Sequence, residues 1–258
     1  MSTLKTIIHE NKDYWTQRAS TYSDVNKWEL DGISRERWKN AIRQRIIDHY
    51  PEREPQGIKV LDIGTGPGFF AIILAECGYD VTAIDLTPNM LLEASSNAGP
   101  LADAICFMEM NAEELEFDDS AFDVIVTRNL TWNLPHPADA YREWYRVLKN
   151  GGLMLNFDSN WYSYLFDDDA RQEFENDRTN SASLGIGDQN VGDNFDVMED
   201  IASRVPLSNI ARPEWDMEVL STIGFKATAD IDIWQHVWTP EEKVNFASTP
   251  MFLIHAVK

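Results

Sequence analysis

The sequence has little cysteine, no long apolar run and few positive charges. Only two of its 258 residues are cysteine, too few for a disulfide framework, and Cys77 and Cys106 lack the spacing of a metal site. We expect both to be reduced thiols in the core of a cytoplasmic protein. No segment approaches the roughly 20 apolar residues of a membrane helix, and the N-terminus lacks the basic start and apolar stretch of a secretion signal.

The chain has 22 lysines and arginines but 43 aspartates and glutamates, so its formal net charge is −21. A nucleic-acid backbone is bound through Lys and Arg, so this surface would mostly repel it. An anionic membrane surface is disfavoured on the same grounds. The acidity favours solubility or, less directly, attraction of a cationic substrate. We therefore expect neither nucleic acid nor membrane as a partner, and the oligomeric state stays open.

Strand-like and helix-like segments alternate through the middle of the chain. The predicted strands are 59–63, 80–85, 105–110, 122–127 and 153–158, and the predicted helices between them are 69–77, 88–96 and 137–148. This alternation predicts an α/β fold with a parallel sheet and right-handed crossovers. A further predicted helix and two strands, at 213–223, 225–233 and 251–257, continue the pattern near the C-terminus.

The chain divides into four predicted parts. They are an N-terminal helical cap at 1–50, a cofactor-binding core at 51–159, an inserted lid or substrate region at 160–211, and a C-terminal completion of the sheet at 212–258. The lid is polar and acidic, and about fifty residues are too many for an ordinary connection, so we expect one or two helices in it.

The sharpest motif is a glycine turn, LDIGTGPG at 61–68. Glycine permits the positive φ of a tight turn and lets a ligand approach the backbone, which suits a nucleotide-like cofactor. The G-x-G-x-G spacing differs from the G-x-G-x-x-G that accommodates a pyrophosphate. Asp62 could meet a cationic amino group. Asp85 ends the next strand, 21 positions after Gly64, where it could accept both ribose hydroxyls or instead cap the following helix.

This turn resembles the cofactor loop of class I S-adenosylmethionine (SAM) dependent methyltransferases. Four other segments agree with the resemblance: YWTQRASTY at 14–22, MNAEEL at 110–115, RNLTWNLP at 128–135 and RVLKNGG at 146–152. The resemblance covers residues 12–160 and implies a Rossmann-like, doubly wound, mostly parallel sheet of seven strands with a C-terminal antiparallel hairpin. Asn111 departs from the family's usual Asp, and Trp132 and Asn133 replace a frequent pair of histidines.

The resemblance and the expected geometry assign the cofactor SAM to a set of residues. Predicted cofactor-binding residues are Arg18, Asp62, Gly64, Gly66, Asp85, Leu86, Met90, Asn111, Ala112 and Asn129. We expect Asp62 to face the α-amino group, Arg18 to pair with the α-carboxylate and Asp85 to hold the ribose. Arg18 follows a helical spacing with Trp15 and Tyr22, and it could instead be a solvated helix residue. Asn111 is expected at the adenine edge.

The methyl acceptor is expected beyond the fourth and fifth strands, under the lid. Predicted catalytic residues are Tyr14, Tyr22, His136 and Asp158, and predicted substrate-binding residues are Arg128, Trp132, Asn160, Trp161 and Tyr162. The aromatic residues suit an apolar or extended acceptor, although aromatics are also ordinary packing. An acceptor carboxylate could pair with Arg128, Arg204 or Arg212, and Arg128 could instead lie exposed at its strand end. His136 could have a structural role, and no metal cluster is predicted.

We therefore expect a methyltransferase that transfers the SAM methyl group in line to an oxygen, either hydroxyl or carboxylate, of a small molecule or peptide natural product. Alignment supplies most of the catalysis, and a general base helps only if the acceptor loses a proton. Two alternatives remain. One is a non-catalytic SAM-binding subunit, and the other is an NAD-dependent oxidoreductase, which the spacing of the glycines disfavours. The acceptor itself stays unidentified.

Overall fold

A computed structural model describes residues 2–188 and 194–258, with side chains from residue 7 onward. Its strands are β1 Lys59–Ile63, β2 Asp80–Asp85, β3 Ile105–Glu109, β4 Phe122–Arg128, β5 Leu148–Asp158, β6 Lys226–Asp230 and β7 Phe252–Val257. They form one sheet in the order β3-β2-β1-β4-β5-β7-β6. β1 to β5 are parallel, and β7 runs antiparallel to both β5 and β6. The predicted α/β sheet with its antiparallel C-terminal pair is confirmed.

The helices cover both faces of this sheet. They are α1 Ser2–Asp31, α2 Ile33–His49, α3 Phe69–Glu76, α4 Pro88–Ala98, α5 Pro137–Val147, α6 Asp168–Ser183, α7 Phe195–Ala202, α8 Glu214–Ile223, α9 Trp234–Val237 and α10 Pro240–Asn245. The predicted strand at 225–233 is shorter than expected, and α9 and α10 follow it. A capping box between Thr239 and Glu242 starts α10, and its T-x-x-E pattern was present in the sequence.

Two apolar layers enclose the central strands, as expected for a parallel sheet buried on both faces. One layer contains Trp38 and Phe70 from α2 and α3, and the other contains Tyr141 and Trp144 from α5. β4 is buried along nearly its whole length. The carboxyl ends of β1, β2 and β4 therefore meet at a rigid edge, where loops can hold a ligand.

The two cysteines are free thiols in different surroundings. Cys77 is half-buried after α3, and burial raises the pKa of its thiol. Cys106 is exposed on β3, so the prediction of a core thiol is wrong there, because β3 is an edge strand that is covered incompletely. Among the described helices, none combines the length and the apolar character that crossing a bilayer requires.

The lid segment carries α6 and α7, in line with the expected one or two helices. It packs against the C-terminal part of the chain. Asp177 of α6 accepts a hydrogen bond from the backbone N–H of Ser248 at 2.8 Å, and Ser181 donates one to Asn245 at 3.2 Å. The division of the chain into four parts stays a prediction.

An ion pair attaches the N-terminal helices to the centre of the sheet. Arg128 ends β4 and donates two hydrogen bonds to Glu29 of α1, at 2.7 and 3.0 Å. Its guanidinium lies 5.2, 4.7 and 5.3 Å from the ring centroids of Trp38, Phe69 and Phe70. These cation–π contacts and the bidentate pair hold α1 above the carboxyl edge of the sheet.

A second buried ionic cluster joins the end of β5 to α8. Arg212 is fully buried and donates to Asp158 at 2.7 Å and to both carboxylate oxygens of Asp216 at 2.8 Å. Asp158 also accepts hydrogen bonds at 2.9 Å from the backbone N–H groups of Trp132 and Ser159. The cluster thereby fixes the loop after β4, which carries Trp132.

We expect Arg212→Met to lower the free energy of unfolding by about 3–5 kcal/mol, because two buried carboxylates lose their cation. The control Arg142→Met removes an exposed ion pair with Asp139, and we expect it to cost under about 1 kcal/mol. Urea unfolding followed by tryptophan fluorescence measures both values. Equal losses in the two variants would contradict a stabilising role for the buried cluster.

Candidate active site

The glycine turn between β1 and α3 forms the floor of a cleft at the carboxyl edge of the sheet. Gly64, Gly66 and Gly68 have φ values of +69°, +53° and +93°, which side-chain-bearing residues rarely adopt. A Cβ atom added to Gly66 would have one described neighbour within 4 Å, the Tyr22 ring at 3.7 Å. The backbone of this turn is therefore open to close approach by a ligand.

Asp85 ends β2 and closes the turn. Its carboxylate accepts hydrogen bonds from the backbone N–H groups of Gly66 at 3.0 Å and Thr87 at 2.8 Å. Burial raises the pKa of Asp85, and these bonds partly oppose that effect. The carboxylate keeps accepting capacity for the ribose hydroxyls. The N-cap residue of α4 is Thr87, so the alternative role of Asp85 as the helix cap is wrong, whereas ribose binding fits this geometry.

The cleft measures about 870 Å³, including its open mouth. Eight of the ten predicted cofactor residues line it: Gly64, Gly66, Asp85, Leu86, Met90, Asn111, Ala112 and Asn129. The Asn111 side-chain oxygen accepts a hydrogen bond from the backbone N–H of Glu113 at 3.1 Å, which leaves it one lone pair for an adenine amino group.

Two asparagines that sequence reasoning missed also line the cleft. Asn11 and Asn133 are buried, and neither side-chain oxygen has a hydrogen-bond partner in the described part of the chain. Buried polar atoms without partners are costly, so both oxygens are suited to a polar ligand. The open glycine turn, the carboxylate of Asp85 and these oxygens together fit an adenosyl cofactor.

The other two predicted cofactor residues lie beside the cleft. Asp62 lines a small cavity under the glycine turn with Tyr22 and Gly66, and its carboxylate accepts a hydrogen bond from the Thr65 hydroxyl at 2.6 Å. Burial raises the pKa of Asp62 to about 7. Arg18 does not line the cleft described above but borders a second, larger cavity.

The second cavity, which we call the aromatic cavity, opens beside the cleft and measures about 1880 Å³. Its aromatic lining residues are Trp15, Tyr22, Trp28, Trp38, Trp132, Trp161, Tyr162, Tyr164, Phe174, Phe195, Trp238 and Phe246. Trp15, Tyr22, Arg128 and Asn129 line both the cleft and the aromatic cavity. We call these four residues the shared wall, because a donor in the cleft and an acceptor in the aromatic cavity would meet there.

Of the four predicted catalytic residues, Tyr22 alone belongs to the shared wall. Tyr14 packs in an apolar cluster, His136 precedes the first turn of α5, and Asp158 is held by Arg212. None of these three borders either cavity as far as the chain is described. This placement does not support the three catalytic assignments, which stay predictions, and the side chains of Tyr14 and Asp158 are buried besides.

Of the predicted substrate-binding residues, some line the aromatic cavity and others are engaged elsewhere. Trp132, Trp161 and Tyr162 line the aromatic cavity, and the rings of Trp132 and Tyr162 are 4.8 Å apart. Asn160 instead hydrogen-bonds the backbone of residue 212. Arg128 lines both cavities, but its guanidinium is paired with Glu29, so it is not the free cation expected for an acceptor carboxylate.

Sequence reasoning also missed several walls of the aromatic cavity. Trp15 and Trp28 come from α1, Trp38 from α2, and Phe246 follows α10. The spacing of Trp15, Arg18 and Tyr22 along one helix face was visible, but which cavity that face borders depends on how α1 packs on the sheet.

Comparisons with known proteins find similarity in the core of the chain. Residues 61–156 match the family described as methyltransferase domain. Ubiquinone/menaquinone biosynthesis C-methyltransferases UbiE from Rhizobium rhizogenes and Brucella anthropi are 33% and 35% identical over 142 and 149 residues. These alignments cover 53% and 55% of this chain and 53% and 54% of the relatives. The chain thus spans about half the length of the curated relatives it matches.

Solved structures share the fold at lower identity. A SAM-dependent methyltransferase from Aquifex aeolicus has a TM-score of 0.56 at 16% identity, with 90% of this chain and 96% of that chain covered. The methyltransferase in complex with the Trm112 methyltransferase activator of Haloferax volcanii also has a TM-score of 0.56, at 19% identity and with 94% and 96% covered. Identities this low show a common fold and nothing finer.

Replacing the carboxylate of Asp85 should weaken cofactor binding. We expect Asp85→Ala to raise the dissociation constant of S-adenosylhomocysteine about a hundredfold or more, because two charge-assisted hydrogen bonds to the ribose are lost. Asp85→Asn, which keeps one accepting oxygen, should lose less. Isothermal titration calorimetry measures the affinities, and circular dichroism checks the fold. Unchanged affinity in a folded Asp85→Ala protein would show that the ribose lies elsewhere.

The raised pKa of Asp62 predicts that cofactor binding depends on pH. With a pKa of about 7 in the free protein, its carboxyl is mostly protonated in acid and mostly ionised above neutrality. An α-ammonium group favours the ionised form, so S-adenosylhomocysteine should bind more tightly as the pH rises from about 5.5 to about 7.5, by up to about tenfold per pH unit.

Two substitutions separate this effect from general titration of the protein. Asp62→Asn cannot ionise and should flatten the dependence, whereas Asp80→Asn, at an exposed position of β2, should keep it. Affinity that falls between pH 5.5 and 7.5 in the unmodified protein, or a slope that survives Asp62→Asn, would contradict the assignment of the amino group to Asp62.

Proposed function

We propose that this chain, whose residues 61–156 match a methyltransferase domain, is a class I SAM-dependent enzyme that methylates a small molecule held in the aromatic cavity. The match of residues 61–156 to a methyltransferase domain supports the expected enzyme class and the cofactor SAM. One observation carries the proposal for the whole chain. The cleft that fits an adenosyl cofactor and the aromatic cavity share a wall of four residues.

The arrangement suits in-line transfer. Bound SAM supplies an electrophilic methyl group, so the protein has chiefly to align the acceptor and exclude water. Alignment of two reactants can lower a barrier by roughly 7–11 kcal/mol. The glycine turn and Asp85 would hold the adenosyl part, while the rings of Trp15 and Tyr22, 5.5 Å apart, would close the reaction space from the side of α1.

We further propose an oxygen as the accepting atom. Asn129 lies in the shared wall at a positive φ of 56°, and its side-chain oxygen has no described hydrogen-bond partner. That oxygen can accept a hydrogen bond from an acceptor hydroxyl. Burial raises the pKa of Tyr22, so its hydroxyl stays protonated near neutral pH and serves as a hydrogen-bond donor that positions an acceptor oxygen.

A specific observation also favours carbon as the accepting atom. The curated relatives are named C-methyltransferases of ubiquinone and menaquinone biosynthesis. A ring carbon beside a hydroxyl would use the same oxygen contacts to Tyr22 and Asn129, and a flat ring would suit the aromatic cavity. The acceptor class would then be a quinone precursor, whereas the sequence analysis favours a small molecule or peptide natural product.

Isotope labelling tests the activity and separates the two atoms. Cell extract incubated with the protein and methyl-deuterated SAM should yield a small molecule that is heavier by one labelled methyl group. Nuclear magnetic resonance of that product distinguishes an O-methyl from a C-methyl group. Tight binding of S-adenosylhomocysteine without any labelled product in extracts would instead favour the non-catalytic SAM-binding subunit and contradict the proposal.

Two tyrosines of α1 provide a matched pair of variants for the same reaction. Tyr22→Phe should lower kcat for the labelled product about tenfold, because one hydrogen bond to the acceptor is lost, with cofactor affinity changed by less than about threefold. Tyr14→Phe removes a hydroxyl that borders neither cavity and should leave kcat unchanged. Equal rates in both variants would argue against contact between Tyr22 and the acceptor.

A further inference from the structure

Three buried or half-buried arginines that could have bound an acceptor carboxylate are neutralised within the chain. Arg128 pairs with Glu29. Arg212 pairs with Asp158 and Asp216, and Arg204 pairs with Glu10 and Asp200. A guanidinium whose hydrogen bonds are used inside the protein offers little to a ligand. None of these three is therefore free to receive an anion.

Arg18 differs from them. It borders the aromatic cavity, and its Nε atom is buried without a hydrogen-bond partner. Within the described part of the chain, neither a hydrogen bond nor an ion pair engages its guanidinium. Its positive charge nevertheless acts on the hydroxyl groups of two nearby tyrosines. Burial raises the pKa of Tyr14 and of Tyr22, and the positive charge of Arg18 opposes that rise at both.

Among the described residues, none of the carboxylates that line the same cavity forms an ion pair with Arg18, and Glu29 is paired with Arg128. Asp24 pairs with Lys27 at 3.3 Å, and Asp188 pairs with Arg178 at 2.8 Å. The Glu242 carboxylate accepts the backbone N–H of residue 239 at 2.6 Å in the capping box of α10. Of the described residues that line the aromatic cavity, Arg18 is thus the one cation without an ion-pair partner.

We propose that Arg18 binds a carboxylate carried by the methyl acceptor. The acceptor class would be a carboxylic acid with a flat, apolar body, its body packed on the aromatic walls and its carboxylate held by the fork of Arg18. This inference rests on the proposed function, since it concerns the acceptor of that reaction. It makes Arg18 a specificity-determining residue.

The competing assignment is the one expected from the sequence, in which Arg18 holds the α-carboxylate of the cofactor. Both assignments place a carboxylate on Arg18, but the carboxylate comes from different molecules. The placement of Arg18 on the aromatic cavity, and not on the cleft, favours the acceptor. A binding experiment in which the cofactor site is already filled separates the two sources.

The probes are 2-naphthoate and its neutral counterpart 2-naphthamide, which differ in charge but hardly in shape. Their binding is followed by quenching of tryptophan fluorescence, because several tryptophans line the aromatic cavity. Each titration is performed with saturating S-adenosylhomocysteine and again with saturating 5′-methylthioadenosine, which lacks the amino-acid part. We expect naphthoate to bind about tenfold to a hundredfold more tightly than naphthamide in both cases.

Three variants identify the residue responsible. Arg18→Gln should abolish the preference for naphthoate while S-adenosylhomocysteine still binds within about threefold of the unmodified protein. Arg18→Lys should keep part of the preference, since the charge remains. Arg204 follows α7 and borders neither cavity, so Arg204→Gln is the control. This variant should keep the full preference for naphthoate.

Two results would overturn the inference. A preference that appears with 5′-methylthioadenosine but disappears with S-adenosylhomocysteine would assign Arg18 to the cofactor carboxylate, as would a large loss of S-adenosylhomocysteine affinity in Arg18→Gln. Equal binding of naphthoate and naphthamide under both conditions would exclude an anion site in the cavity. In either case the methyltransferase proposal stands, because it fails only if cofactor binding or labelled product is absent.

Discussion

The ion pair between Arg128 and Glu29 holds α1 against the sheet, and both cavities of the site depend on that placement. Arg128 ends the central strand β4 among three aromatic rings, where an arginine without a carboxylate partner would be costly. Glu29 lies seven residues beyond Tyr22 on α1, so the two side chains project from nearly the same helix face. Holding Glu29 on the sheet therefore also holds Tyr22 above the glycine turn and against the second cavity.

The site therefore has a rigid part, the cofactor cleft at the sheet edge, and a more variable part, the aromatic cavity. The glycine turn and Asp85 belong to the sheet edge and recognise features that every adenosyl cofactor has. The aromatic cavity is assembled mainly from α1, α2, the end of β4 with the loop after it, the lid and the segment around α10, so its shape depends on how five separate parts of the chain pack. A fold of this kind can keep its cofactor and change its acceptor by altering walls that the sheet does not include.

Local chemistry explains what the sequence could predict. The strand and helix alternation, the turn at 61–68 and the position of Asp85 depend on short-range patterns, and the structure agrees with them. Contacts between distant residues could not be derived in this way. Glu29 and Arg128 are 99 positions apart and Asp158 and Arg212 are 54 apart, so only packing of the whole chain showed that these arginines are already paired.

A crystal structure with S-adenosylhomocysteine tests the central claim most directly. The account predicts the ribose hydroxyls on Asp85, the adenine beside Met90 and Asn111, and the sulfur atom at the shared wall, facing the aromatic cavity. A cofactor whose sulfur points away from Tyr22 and Asn129, or a dinucleotide in the cleft, would contradict it. In the first case the methyl donor would not face the acceptor cavity. In the second case the protein would not bind SAM in this cleft, and the proposed methyl transfer would be wrong.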